Sequence, residues 1–132
     1  MIYIKKINFF KDSRGKLISI DHKKFKFFSI KRTFFINFLK RKVIRGKHAH
    51  KKCSQFIICT SGKIKIKTID TKLNKKSYVL SDFSKGIYIK PYVWVEIVAM
   101  KRNTSIVCFA DRKYEKLDYI NSFSEFKKII RK

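Results

Sequence analysis

The sequence is short of acid, proline and glycine. Nine Asp and Glu stand against thirty-four Lys and Arg, Pro occurs once, and Gly occurs four times in 132 residues. With so little Pro and Gly and no Ser-rich run, no linker, low-complexity stretch or repeat divides the chain. Residues 1–132 read as a single domain with material for one core. Cysteine is scarce as well. Cys53, Cys59 and Cys108 are odd in number, lack paired spacing and sit in apolar runs, which argues against a disulfide or zinc framework and suits buried free thiols. Long apolar runs are missing too. Met1 to Phe10 interleaves Lys5, Lys6 and Asn8 with its apolar residues, so neither a signal peptide nor a membrane span is expected. The protein is expected in the cytoplasm, without a membrane partner.

What is present is hydrophobic material and positive charge. Apolar residues make up 45% of the chain, with thirteen Phe, too much for a disordered basic tail. The formal charge of +25 raises the prospect of a nucleic-acid partner held through phosphates. The distribution of the charge argues otherwise. Basic residues run along the whole sequence and alternate with apolar ones, as in Lys63-Ile64-Lys65-Ile66-Lys67, the pattern of a solvated strand face. No nucleic-acid partner is expected, although such a field would also draw in an anionic small molecule.

Short runs rich in β-branched and aromatic residues predict strands at Leu17–Ile20, Phe25–Ile30, Thr33–Leu39, Phe56–Thr60, Lys63–Ile69, Tyr78–Leu80, Ile87–Ile89, Trp94–Met100 and Ser105–Ala110. Turn residues fall between them, and Ser61-Gly62 is expected to close a tight hairpin. The exception is the C-terminus. Ser122-Phe123-Ser124-Glu125 has the form of a capping box, with Phe126, Ile129 and Ile130 following at helical spacing, which predicts a short helix over 123–130.

Chemistry concentrates in Arg45-Gly46-Lys47-His48-Ala49-His50-Lys51-Lys52-Cys53-Ser54-Gln55. On an extended chain His48 and His50 project from one face and Lys47 and Lys51 from the other. The spacing of Gly46, His48, His50 and Gly62 resembles the first cupin motif, with Gln55 where an acidic metal ligand would stand. Gly86 through Glu96 resembles the second motif, with Glu96 at its histidine position. The fold expected is therefore all-β, a cupin jelly-roll barrel with a short C-terminal helix. A Gln amide is a poor ligand for a transition metal, so no metal and no cofactor are expected, although His48, His50 and Glu96 would still make a two-histidine, one-carboxylate set. Two imidazoles in a pocket, each titrating near neutrality, are candidate catalytic acid and base.

Over nearly its whole length the chain also resembles the dTDP-6-deoxyhexulose 3,4-ketoisomerases. The matching blocks are Asp12-Ser13-Arg14-Gly15, Ser29-Ile30-Lys31-Arg32, Arg45 to Gln55, Ile58 to Gly62, Lys85 to Tyr88, Pro91 to Glu96, and Asp118-Tyr119-Ile120. The resemblance implies a dTDP-linked 4-keto-6-deoxyglucose substrate, a homodimer that often exchanges N-terminal strands, and no metal. It also implies a role in making 3-amino-3,6-dideoxy sugars for surface polysaccharide. The rival within the fold is a 3,5-epimerase of the same substrates. Two positions depart from the family pattern: Phe34 and Phe35 occupy a strand where a tyrosine is common, and Val95 stands where a polar residue is usual. Arg14 and Arg45 are candidates for the diphosphate or a developing oxyanion. Gln55 and Glu96 are candidates to orient the imidazoles or sugar hydroxyls, and Trp94 to stack on substrate unless it belongs to the core.

Overall fold

In the computed structural model, residues 3–22, 25–26 and 28–131 are described. Twelve strands are present among them: β1 (Tyr3–Lys6), β2 (Phe9–Asp12), β3 (Gly15–Ile18), β4 (Arg32–Phe38), β5 (Ile44–His50), β6 (Gln55–Ser61), β7 (Ile64–Ile69), β8 (Lys75–Leu80), β9 (Lys85–Ile89), β10 (Trp94–Ala99), β11 (Thr104–Ala110) and β12 (Tyr119–Ile120). Helix α1 (Phe123–Ile130) follows. Ser122 caps α1 by accepting the Glu125 backbone N–H at 3.0 Å, as the sequence motif requires. No helix among the described residues is long and apolar enough to cross a membrane.

The strands form two five-stranded antiparallel sheets, β1-β9-β6-β11-β4 and β12-β5-β10-β7-β8, with β2 and β3 paired separately. Alternating side chains give each sheet an inner face. Ile57, Cys59, Ile87, Ile106 and Cys108 of the first sheet pack against Ile64, Ile66, Val95, Ile97 and Ala99 of the second, forming the central core. Both outer faces are covered as well. Phe56, Ile58 and Val107 lie under Ile18, Ile20, Phe25 and Phe28, whereas Trp94, Ala49 and Ile120 lie under Phe126 and Phe123 of α1.

Three expectations need correction. The two sheets do not close into a barrel, and no jelly roll is formed: β1 and β4 end one sheet and β12 and β8 end the other, with no ladder joining them. Closure demands a hydrogen-bonded seam between sheets, and here side-chain packing joins them instead. Ser61-Gly62 does not close a hairpin, because β6 pairs with β9 and β11 while β7 pairs with β8 and β10. The turn carries the chain across from one sheet to the other. Gly62 is required there: its φ is +78°, and a Cβ would run into Thr104, whose hydroxyl accepts the Lys63 N–H. The strand expected at Phe25–Ile30 is absent at its described residues, Phe27 lying outside them, and Phe25 and Phe28 instead pack as an edge-to-face pair at 5.3 Å on the first sheet.

Candidate active site

The His-x-His strand is shaped by a bulge. Gly46 (φ +90°) and Lys47 (φ +54°) adopt left-handed backbone, and the β5–β10 register slips so that Gly46 faces Glu96, His48 faces Val95, and Lys47 is left unpaired. A Cβ on residue 46 would lie 3.0 Å from the Val95 carbonyl oxygen. Because the slip changes parity, Arg45, opposite Ile97, comes onto the inner face with His48, opposite Val95. His50 follows on the same face while Ala49 turns outward onto Trp94. Both histidines therefore face the space between the sheets, with ring centroids 5.0 Å apart and nearly perpendicular.

The second wall comes from β12, whose register sets Tyr119 opposite His50. The Tyr119 ring sits 4.4 Å from His50 and 5.0 Å from His48, edge-on to the latter. Just before it, Asp118 is buried, and its Oδ2 accepts the His50 Nδ1–H at 2.9 Å. The carboxylate is fixed in turn by the backbone N–H groups of Lys52 (2.7 Å) and Cys53 (3.3 Å). With Nδ1–H donating to Asp118, Nε2 of His50 carries the free lone pair, and it is buried without a hydrogen-bond partner. In His48, Nδ1 lies 3.0 Å from the Gly46 carbonyl oxygen, which can only accept, so its Nε2 is also unprotonated.

Electrostatics keep both rings neutral. Burial, then the neighbouring His50, lower the His48 pKa to about 4, against a small opposing effect of the Gly46 carbonyl. Burial lowers His50 too, the hydrogen bond and charge of Asp118 offsetting part of it and Arg32 adding to it. Burial would raise Asp118, but its hydrogen bonds from His50, Lys52 and Cys53 outweigh this and hold it below the usual carboxylate value. A pH dependence follows. Because both folded-state histidine pKa values lie below the unfolded value of about 6.5, the unfolded chain binds protons first as pH falls. Stability present above pH 6.5 is lost down to about pH 4, and His48 alone accounts for up to roughly 3 kcal/mol. Thermal melts between pH 7.5 and 4.5 are expected to fall through this window, and the acid limb of kcat/KM is expected below pH 6.5, because the His50 pKa is lowered by burial.

Across the gap, the first sheet contributes Arg32, Gln55 and Ala110 in one inner row. Gln55 is buried. The Arg32 guanidinium lies 5.0 Å over Phe34 and 5.6 Å over Tyr114, its Nε buried and unpartnered, and its charge is felt at His50. On the second sheet, Thr68 lies beside Val95 in the row that contains His48, with a buried, unpartnered hydroxyl. Arg32 Nε, His50 Nε2 and Thr68 Oγ1 are the three buried side-chain polar atoms without a partner among the described residues, and all three face the inter-sheet space. Buried polar groups are ordinarily paired, so three orphans sharing one space mark where a polar ligand would supply the missing bonds.

The structure thus gathers His48, His50, Arg45 and Gln55 on inner faces and does not bring Arg14, Trp94 or Glu96 to them. Trp94 and Glu96 lie on the outer face of the second sheet, with Trp94 Nε1–H donating to Glu96 Oε2 at 3.0 Å and the indole packed against Phe123 and Phe126. Arg14 is exposed in the β2–β3 turn and ion-paired to Asp12 at 2.6 Å. His48, His50 and Glu96 do not form a ligand set, because Glu96 is on the far side of β10. Asp118, Tyr119, Arg32 and Thr68 escaped the reading of individual residues. Arg32 and Asp118-Tyr119 do lie in blocks that carry the family resemblance, but nothing in their spacing ties them to the histidines. Substituting Glu96→Gln is expected to leave KM within about twofold of wild type in steady-state kinetics, because its carboxylate faces away from the histidines and accepts from Trp94.

A family model described as "FdtA: WxcM-like, C-terminal" matches residues 1–131. The chain belongs to this family. Among its relatives is the TDP-4-oxo-6-deoxy-alpha-D-glucose-3,4-oxoisomerase of Aneurinibacillus thermoaerophilus, 36% identical over 130 residues, which cover 97% of this chain and 93% of that protein. The sugar 3,4-ketoisomerase QdtA of Thermoanaerobacterium thermosaccharolyticum, solved in complex with TDP, superposes with a TM-score of 0.92 at 30% identity, over 98% of this chain and 94% of QdtA. The structure of WlaRB, a TDP-quinovose 3,4-ketoisomerase of Campylobacter jejuni, gives 0.87 at 30% identity over 96% of this chain and 97% of its own.

Proposed function

We infer that this chain is an isomerase that moves the ketone of dTDP-4-keto-6-deoxy-D-glucose from C4 to C3, without a metal. Its membership in the family and its likeness to 3,4-ketoisomerases support the activity. One observation carries the chemistry: His50 is held by Asp118 as a neutral base whose Nε2 is unpartnered, beside a second neutral imidazole.

The reaction removes the proton on C3, which the adjacent C4 ketone acidifies, and passes through an enediol. It then returns a proton to C4 while the proton on O3 is lost and O4 gains one. His50 takes the C3 proton on Nε2, and Asp118 stabilises the imidazolium that forms, as a carboxylate does when it accepts from Nδ1–H. His48, its ring 5.0 Å away, moves the proton between O3 and O4. Arg32 offers a guanidinium to the enediolate or the diphosphate. Thr68 donates to or accepts from a sugar hydroxyl. Tyr119 holds both rings in orientation by edge contact. Arg45, exposed at the end of the same face, offers a further cation to the diphosphate.

Incubation with dTDP-4-keto-6-deoxyglucose tests the activity through the carbon NMR of the product. A carbonyl at C3 is expected; substrate left unchanged would overturn the inference. We also propose a homodimer acting in the cytoplasm, where nucleotide sugars are made. Phe9, Phe10, Leu17 and Phe35 are all more than half exposed, large apolar side chains of the kind a second copy would cover. Light scattering is expected to give about twice the 15.8 kDa chain mass.

A further inference from the structure

Beside the imidazole pair lies a cluster that the isomerisation does not use in full. His50, Cys53 and Asp118 each offer one donor atom, the three atoms lie within 4.8 Å of one another, and all three side chains are buried. The cluster is built by one turn. His50 ends β5, Cys53 follows three residues later, and the Lys52 and Cys53 N–H groups tie the intervening backbone to the Asp118 carboxylate. Nitrogen, sulfur and oxygen donors held this closely suit a borderline or soft divalent cation of the zinc and cadmium class, and a three-residue step between His and Cys is common for such ligands. A second carboxylate, Asp111, sits at the edge of the turn, accepting the Ser54 N–H at 2.8 Å, and adds negative potential. His50 Nε2, buried and unpartnered, shows that this ring has unused coordinating capacity.

We propose that His50, Cys53 and Asp118 form an inhibitory site for a zinc-class divalent cation, which shuts the isomerase by occupying its base and the carboxylate that holds it. Binding replaces the thiol proton of Cys53, which passes to solvent, and where Nδ1 of His50 ligates its proton moves to Nε2, so the ring stays neutral but loses the lone pair that serves as base; no redox change occurs. The cation is a competitor for His50, not a participant in turnover. The inhibition rests on the isomerase assignment; the binding does not.

The test uses the purified, metal-free protein and Cd²⁺, whose thiolate complexes absorb strongly in the ultraviolet. Wild type is expected to develop this charge-transfer band to a limit of one cation per chain, to lose turnover by about tenfold or more in parallel, and to recover on chelation. Cys53→Ser keeps the turn, because its hydroxyl can still donate to the Ser54 carbonyl that Cys53 Sγ approaches at 3.3 Å. Its cation-free turnover is expected to match wild type, without the band and without inhibition at that concentration; Cys53→Ala serves as a second variant should the first fail to fold. No band in wild type, a band that persists in both Cys53 variants, or a band on Cys53 with turnover unaffected would each overturn the proposal. If the wild-type protein proves inactive on the keto sugar, the band alone still decides whether the site binds the cation.

Discussion

His50→Asn is expected to lower turnover of dTDP-4-keto-6-deoxyglucose by about 10³-fold, within the range of roughly 10² to 10⁴ typical of a positioned acid or base, in a protein that still folds. The substitution is discriminating because the Asn amide can keep donating to Asp118 from near the position of Nδ1, while nothing replaces the lone pair of Nε2. Steady-state kinetics should place the loss in kcat with KM little changed. A partner experiment is Asp118→Asn. Its amide, presenting N–H toward the ring, would favour the tautomer protonated on Nε2 and so remove the base, with an expected loss of about 10² to 10⁴ in kcat. Because Asp118 also accepts from Lys52 and Cys53, that variant should melt lower than His50→Asn. Near-wild-type kcat in both variants would remove His50 and Asp118 from the mechanism.

Phe126→Ala is expected to cost about 3–5 kcal/mol, the usual range for deleting a fully buried aromatic side chain, and to lower the melting temperature by roughly 10–20 °C. Phe126 is 0% exposed and is the buried residue by which α1 docks on Trp94, Ala49 and Ile120. Ala49 and Ile120 are the outward-facing neighbours of His50 and Tyr119 and pair with each other across β5 and β12. Removing the ring therefore loosens the backing of the strands that carry the base and its carboxylate. Calorimetry and turnover should show both effects, whereas exposed Phe35→Ala should show neither in the isolated chain.

Local signals in the sequence survived folding well. The capping box and the 3.6-residue spacing gave α1 its bounds, because both act within one turn of chain. The alternation in Lys63 to Lys67 correctly assigns buried Ile64 and Ile66 to one face. His48 and His50 share a face, and Val95, where the sequence departs from its family, lies beside His48 on that face.

What failed is long-range. Period-two alternation says that Val95 and Glu96 face opposite ways but not which way is inward, and here α1 buries the outer face as well, so Trp94 and Val95 are both buried. Trp94 therefore takes the core place left open for it, and Glu96, its hydrogen-bond partner, lies on that same outer face. The bulge at Gly46 and Lys47, which turns Arg45 inward, depends on the register against β10, a strand about fifty residues away. The dyad itself joins residues 68 apart in sequence. No spacing rule reaches that far, and the same distance hid the arrangement of the sheets, whose ladders decide between a closed barrel and two packed layers.

The most direct measurement is proton NMR of dTDP-4-keto-6-deoxyglucose in deuterated buffer with wild type and with His50→Asn. Wild type is predicted to give a 3-keto product carrying deuterium at C4, and His50→Asn to leave the C3 proton in place over the same interval. Loss of the C3 proton at the wild-type rate in His50→Asn, or exchange at C5 in place of C3, would contradict the account.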